Sequence, residues 1–123
     1  MRIMRASHQG RVGVFAHGCR GWQRLDFTGD LHDLSPLIAD GRLSLQSIET
    51  QLADPAADIV DEHELQPLAP VTAPQKLICI GKNYADHATE FGGRVPEQPI
   101  VFSKFASAIV GPGVAITLPA ISD

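Results

Sequence analysis

The chain has 123 residues, of which 44% are hydrophobic and 20% are charged, and these fractions are typical of a folded domain rather than a disordered tail. The formal net charge of −4 argues against nucleic acids and anionic membranes as partners, because both require a basic surface. No stretch approaches the roughly 18 apolar residues of a membrane span, and the N-terminus lacks the apolar core of a secretory signal. These features predict a cytoplasmic protein.

The first 27 residues predict three antiparallel strands. Alternating or β-branched runs cover residues 3–7, 11–16 and 22–27, and turn-forming residues separate them at 9–10 and 18–21. We expect a β-meander at the start of a small α+β unit.

Two short helices are predicted next. Ser35 is expected as the N-cap of the first, with Pro36 at its first position and Gly41 after its last apolar residue. The second is expected between Ser44 and Pro55, with one buried face formed by three apolar residues at helical spacing: Leu45, Ile48 and Leu52.

A connector follows the helical region. Residues 68–75 (LAPVTAPQ) contain two prolines, which disfavour helix at the residues before them and indicate extended chain. Beyond it, residues 76–80 (KLICI) predict a buried strand that ends at Gly81. The remaining predicted elements are a helix over 84–91 stopped by the glycines at 92–93, a strand over 99–104, a turn at 111–113 and a strand over 114–118.

Most of the polar and sulfur side chains carry no metal-binding or redox motif. Cys19 and Cys79 lack zinc or redox spacing, so buried reduced thiols are favoured and a single disulfide is the alternative. The acidic run at 61–64 predicts a solvated edge, with a loose cation site as the alternative. A surface or capping role is favoured for four histidines without ligand spacing: His8, His17, His32 and His63.

One constellation is compatible with catalysis. The Gly81-Lys82 pair is not a phosphate-binding loop, because the glycine and the Ser or Thr of that motif are missing around it. On a helix over 84–91, His87 and Glu90 would share one face, where the carboxylate would orient the imidazole. Such a pair is a candidate general base. The alternative is an exposed ion pair on a solvated helix.

Residues 76–119 resemble the opening of the catalytic domain in the fumarylacetoacetate hydrolase family. The resemblance rests on four motifs in order: Gly-x-Asn-Tyr, x-x-His-x-x-Glu, Pro-x-x-Phe-x-Lys and Gly-Pro-Gly. It implies the N-terminal part of a bacterial member with an α+β fold. A small α/β accessory domain would cover residues 1–68 and a linker 69–75, and an incomplete mixed β-roll would begin over 76–123.

The resemblance also implies an activity. Family members are divalent-metal hydrolases, lyases or isomerases of 2-oxo acids or 1,3-dicarbonyl compounds, as in acylpyruvate hydrolysis, oxaloacetate-type decarboxylation or ureidoglycolate-lyase-like cleavage. By carry-over, His87 and Glu90 would form the proton-transferring dyad. Three further residues would lie near the substrate, although relatives vary at the first of them: Lys82, Tyr84 and Lys104. A homodimer is expected for the full-length family member.

This sequence departs from the family in one respect. Members continue with an Asp-Tyr-Glu-x-Glu strand whose glutamates bind Mg²⁺ or Mn²⁺, and nothing in these 123 residues replaces those ligands. We therefore expect no metal ligands within this chain, an inactive fragment, and strands with unpaired edges that aggregate or leave only the N-terminal unit folded. The alternative is a non-enzymatic interaction module that assembles with an intact relative.

Overall fold

The computed structural model describes residues 1–84 and 96–121. Contacts divide the chain into two units, one made of residues 1–72 with the residues from 110 onward, the other of residues 73–109. The predicted domain limits at 68 and 75 stay a prediction. The predicted dyad, His87 and Glu90, lies outside the described residues, as does most of the helix predicted to carry it.

The first unit contains a five-stranded antiparallel sheet. Its strands are β1 (Arg2–His8), β2 (Arg11–Gly18), β3 (Gly21–Leu25), β4 (Ile59–Val60) and β5 (Gln66–Pro67), in the spatial order β4-β3-β2-β1-β5. The predicted meander is confirmed. The two-residue strands β4 and β5 were not predicted; they extend the meander by one strand on each side.

The turns of the meander follow from local backbone chemistry. Gln9 and Gly10 have φ values of +50° and +74°, the left-handed pair that a two-residue hairpin turn requires. Strand β3 ends at Leu25 rather than at the predicted residue 27. Strand pairing does not continue at Asp26, because its amide donates to Oε1 of Gln51, a helix side chain, at 2.6 Å.

Helices α1 (Ser35–Ala39) and α2 (Leu45–Leu52) contribute to the hydrophobic core on one face of this sheet. They place Leu37 and Ile48 beside apolar side chains of β2 and β3. The buried core on this side contains Val14, Ala16, Leu25, Leu34, Leu37 and Ile48. Burial of this face is the main stabilising contribution to the helices, since both are too short to form alone.

The opposite face of the sheet has its own apolar cluster. Neighbouring residues of a strand point to opposite faces, so Phe15 lies on this face and Val14 on the other. Phe15 is fully buried. It packs in a buried cluster with Ala6, Trp22 and Leu65. Leu65 follows a short 3₁₀ helix, Glu62–Glu64, so the acidic segment also brings a hydrophobic residue to the sheet.

The predicted helix signals are partly right and partly wrong in both helices. Ser44 is the N-cap of α2, and its hydroxyl accepts from the Ser47 amide at 3.3 Å. Ser35, predicted as the N-cap of α1, is instead its first residue, because Asp33 Oδ1 already accepts the Ser35 amide at 2.7 Å. Leu45 is exposed rather than buried on the apolar face of α2.

The predicted C-terminal end of α1 is confirmed. Gly41 follows the C-cap of α1 with φ of +70°, as expected for a stop signal.

Cys19 and Cys79 are both free thiols. The prediction that they are buried is wrong, because Cys19 is exposed in the turn between β2 and β3 and Cys79 is only half-buried.

The histidines and the acidic run are more involved in the sheet than predicted. His32 and His63 are exposed as expected, but His8 and His17 are half-buried on β1 and β2. His8 Nε2 lies 3.1 Å from Glu64 Oε2, and the His17 ring meets Trp22 edge-on with centroids 5.3 Å apart. The acidic run is exposed, yet its glutamates contact the sheet rather than water alone.

The second unit contains an antiparallel hairpin of β6 (Ile78–Gly81) and β7 (Ile100–Ser103). The Lys104 amide donates to the Leu77 carbonyl at 3.0 Å, which extends the pairing by one residue. Both strands were predicted. The predicted burial of the first strand is wrong, because Ile78 is 63% exposed and neither neighbouring sheet nor helix covers it among the described residues.

The chain after the hairpin is mostly irregular. A 3₁₀ turn covers Ala106–Ala108, and the predicted turn at 111–113 is confirmed by the Val114 amide, which donates to the Gly111 carbonyl at 3.4 Å. The predicted strand over 114–118 is wrong, since that stretch has no strand partner in the described part of the chain. Neither of the two helices formed by the described residues is long and apolar enough to cross a bilayer.

Candidate functional site

The predicted site residues Lys82 and Tyr84 come directly after β6. Gly81, the last residue of β6, pairs with Ile100 at the end of the hairpin ladder. Lys82 then takes a left-handed backbone conformation with φ of +50°, which is uncommon for a residue with a side chain. The backbone therefore turns sharply at the strand end, and the side chains of Lys82 and Tyr84 are both exposed.

A cavity of about 270 Å³ lies at this end of the hairpin. Residues 80–83 line one side and residues 96–99 the other. The polar lining residues are Lys82, Asn83, Gln98 and Glu97. Ammonium and amide N–H groups donate hydrogen bonds to carboxylate and carbonyl oxygens. Lys82, Asn83 and Gln98 can therefore donate to a small oxygen-rich ligand, whereas the Glu97 carboxylate can only accept.

Lys104 lies at the other end of the same hairpin. It pairs with Leu77, five residues before Lys82, so about 16 Å of extended strand separates the two positions. Lys104 lines a separate cavity of about 400 Å³ with residues 74–78 and 103–106. The structure thus brings Lys82 together with Asn83 and Glu97 but does not bring Lys104 to them.

The cavity at Lys82 includes residues that were not predicted as site residues. Asn83 belongs to the Gly-x-Asn-Tyr motif, so its place in the motif was a usable signal. Glu97 and Gln98 stand between two prolines after the predicted helix, a pattern that indicates only a loop. Their placement depends on the pairing of β6 with β7, which sequence spacing does not reveal.

Larger cavities occur in the first unit, and none of the predicted site residues lines them. One of about 520 Å³ is lined by residues including Arg2, Trp22 and Glu62, and one of about 420 Å³ by residues including His8 and Arg24. Their size alone does not connect them to chemistry, because none of the catalytic motifs singled out in the sequence falls there.

The described residues do not fit a divalent-cation site. No three His, Cys, Asp or Glu side chains come together within residues 1–84 and 96–121. Among the described residues, Glu97 is the single acidic residue lining the cavity at Lys82, and the cationic Lys82 lines it as well. Mg²⁺ and Mn²⁺ require several oxygen ligands around one point, and the described residues bring no such set together.

Comparisons with known proteins connect the hairpin segment to a family. Residues 76–123 match the family model described as fumarylacetoacetate (FAA) hydrolase C-terminal. Mitochondrial oxaloacetate tautomerase FAHD2A of Bos taurus is 46% identical over 82 residues, which make up 67% of this chain and 26% of that protein. Protein Rv2993c of Mycobacterium tuberculosis is 55% identical over 53 residues, 43% of this chain and 20% of that protein.

A solved structure is similar over nearly the whole chain. The HpcE protein from Mycobacterium smegmatis matches with a TM-score of 0.67 and 28% sequence identity, covering 98% of this chain and 41% of that chain. The chain spans about a quarter of the length of the curated relatives it matches first. The mixed helix-and-sheet architecture of this chain therefore corresponds to part of the larger M. smegmatis chain. Through residues 76–123, the chain is similar to the fumarylacetoacetate hydrolase family.

Proposed function

We propose that this chain forms part of the substrate site of a fumarylacetoacetate-hydrolase-type enzyme acting on a 2-oxo acid or a 1,3-dicarbonyl compound. The observation that carries the proposal is the family match over residues 76–123, joined to the cavity at the end of β6. That cavity offers an ammonium and two amides to the oxygens that define both substrate classes. Acylpyruvate hydrolysis, oxaloacetate tautomerisation or decarboxylation, and ureidoglycolate-lyase-like cleavage are the candidate reactions.

In this proposal, Lys82 binds the substrate carboxylate. Its ammonium is a point charge on a flexible stem, so the fixed position has to come from the backbone, which turns at Lys82 itself. Asn83 orients a carbonyl oxygen from the same side of the cavity. Tyr84 is assigned near the substrate by resemblance. Lys104 is assigned likewise, and its separate cavity makes it the residue whose role needs its own test.

His87 and Glu90 are the proposed proton-transferring dyad. A carboxylate that accepts a hydrogen bond from one imidazole nitrogen fixes the orientation of the ring. The other nitrogen then takes a proton from water in hydrolysis or from the carbon beside the ketone in tautomerisation. The family resemblance and the three-residue spacing support this role.

The family resemblance also supports a divalent cation, Mg²⁺ or Mn²⁺, which would polarise the substrate carbonyl as a Lewis acid when bound. Residues 1–84 and 96–121 do not fit such a site, so we propose that its ligands lie outside these residues. In this proposal, the chain alone is inactive. A homodimeric assembly and a cytoplasmic location complete the proposal.

Turnover measurements test the proposal. The full chain is assayed with oxaloacetate and Mg²⁺, alone and fused to the C-terminal remainder of the M. smegmatis HpcE protein. We expect turnover from the fusion only. In the fusion, His87→Ala should lower kcat by about 10²–10⁴-fold, the usual contribution of general acid–base catalysis. Lys82→Met should chiefly raise KM, and Arg42→Met in the first unit is the control. Full turnover in the His87→Ala fusion would refute the assignment of the dyad.

A second function is favoured by a different observation. Apolar side chains are exposed on both faces of the β6–β7 hairpin, as expected for a module that binds another protein. The alternative is therefore a non-enzymatic interaction module that assembles with an intact relative. It predicts that the chain co-elutes with the intact M. smegmatis protein in size-exclusion chromatography, whereas the fusion stays inactive. The enzyme proposal predicts an active fusion.

A further inference from the structure

Arg5 is a buried cation in the middle of β1. Only 5% of its surface is exposed, although a guanidinium loses its hydration at a large cost when it is buried. It points to the same face as Val14, its partner on β2, because paired residues of antiparallel strands share a face. A buried Arg at such a position indicates that specific acceptors hold it.

Two backbone carbonyls accept hydrogen bonds from this side chain. Arg5 Nε donates to the Leu31 carbonyl at 2.6 Å, and its Nη1 donates to the Ala69 carbonyl at 2.7 Å. Leu31 lies in the loop before α1, whereas Ala69 lies in the chain that follows β5. One guanidinium therefore joins two segments that are distant in sequence to the same strand.

Backbone and side-chain bonds continue this attachment on both sides of Ala69. The Leu68 amide donates to the Arg5 carbonyl at 2.9 Å, and the Leu34 amide donates to the Pro70 carbonyl at 3.0 Å. The Thr72 amide donates to Asp33 Oδ2 and its hydroxyl to the His32 carbonyl, both at 3.0 Å. Residues 68–72 are thus bonded to the rest of the first unit at nearly every position.

We propose that Arg5 is a positioning residue that fixes residues 68–72 as a strap on the first unit. The stretch predicted as a linker from residue 69 is then ordered as far as Thr72. The planar guanidinium serves two acceptors in different directions, which a single ammonium does with poorer geometry. Loss of the Arg5 side chain removes the donor from the buried Ala69 carbonyl and from the part-buried Leu31 carbonyl, so the strap loosens before the sheet does. The inference is independent of the proposed activity.

Residue-resolved amide exchange by NMR on the full chain tests this proposal. In Arg5→Met, the Leu68 and Thr72 amides should exchange at least about tenfold faster, the loss expected for a buried charged hydrogen bond. Arg24→Met is the matched control, because Arg24 donates to one carbonyl on an exposed site. Amides of β2 should change much less than those of the strap in Arg5→Met. Equal acceleration of strap and sheet amides would overturn the proposal.

A second measurement uses the wild-type chain, so it does not depend on whether a variant folds. The Arg5 Nε–H of the wild-type chain should be visible and slow to exchange at neutral pH, unlike the Nε–H groups of the exposed residues Arg2 and Arg42. Arg5→Lys should recover only part of the strap protection, since one donor group replaces the fork. Exchange of the Arg5 Nε–H as fast as that of Arg2 would contradict the proposal whatever the variants do.

Discussion

The sheet of the first unit and the β6–β7 hairpin of the second are both rich in apolar residues, yet they bury them to very different extents. On β2, Val14 and Phe15 point to opposite faces and both are fully buried, because each face has its own cover. On the hairpin, Ile78 and Phe102 also point to opposite faces and remain 63% and 44% exposed. A strand that is apolar on both faces therefore needs two covering layers, and only the first unit supplies them among the described residues.

The difference in side-chain burial corresponds to a difference in stabilising free energy. Full burial of a Val, Ile or Phe side chain stabilises a protein by about 1.5–3 kcal/mol relative to its exposed state. The first unit gains this contribution at residues such as Phe15, whereas the hairpin gains little of it at Ile78 or Val101. We expect stability to reside in the first unit and an association tendency to reside in the hairpin.

The largest expected effect comes from matched phenylalanine truncations. Phe15→Ala removes a fully buried ring and should lower the free energy of unfolding by about 3–5 kcal/mol. Phe105→Ala removes a ring that is 86% exposed and should change it by less than about 0.5 kcal/mol. Urea unfolding followed by Trp22 fluorescence measures both. Equal losses in the two variants would show that the contrast between the units is wrong.

The second prediction places charges on the exposed apolar face of the β6–β7 hairpin. Ile80 and Val101 are paired across the hairpin and share one exposed face. The double substitution Ile80→Lys with Val101→Lys should lower binding of the dye ANS and light scattering, because it breaks an exposed apolar face. The urea midpoint of Trp22 should stay unchanged. A large drop in that midpoint would mean that the hairpin face is buried in the folded chain.

The helix caps give a smaller, paired effect. Ser44→Ala removes the hydroxyl that accepts the Ser47 amide and should cost about 1 kcal/mol. Ser35→Ala should cost clearly less, since Asp33 and not Ser35 accepts the amide at the start of α1. Thermal unfolding of the two variants compares them directly. A greater loss in Ser35→Ala would restore the cap assignment that the sequence predicted.

The smallest effect concerns the exposed ion pair at the edge of the first unit. Glu62 Oε2 accepts from Trp22 Nε1 at 3.0 Å and lies 3.6 Å from Arg2 Nη2. Glu62→Gln keeps an acceptor for the indole but removes the ion pair, so the loss should stay below about 1 kcal/mol and shrink further at high salt. A larger loss that persists at high salt would mean that the charge itself is essential to the edge.

Much of the first unit could be predicted from local signals. The Gln9-Gly10 turn and the Ser44 cap act within a few residues, so the meander and α2 could be located from sequence. Strands β4 and β5 were missed because each has two residues and depends on a distant partner. The predicted strand over 114–118 failed for the same reason, since a strand requires a partner as well as propensity.

The candidate site was predicted less completely than the fold. The motif located Lys82 and Tyr84 at the end of a strand, but the register that separates Lys82 from Lys104 depends on long-range pairing. Arg5 gave no sequence signal, because an Arg among apolar residues of a strand is usually expected on a solvent face. His87 and Glu90 lie outside the described residues, so their roles stay a prediction.

Amide hydrogen exchange across the whole chain tests the central contrast most directly. Amides of the buried β2 residues Val14, Phe15 and Ala16 should exchange only through global unfolding of the first unit, whereas amides of Ile78–Gly81 should exchange through local opening at least about a hundredfold faster. Hairpin amides as protected as those of β2, and equally sensitive to Phe15→Ala, would contradict the account.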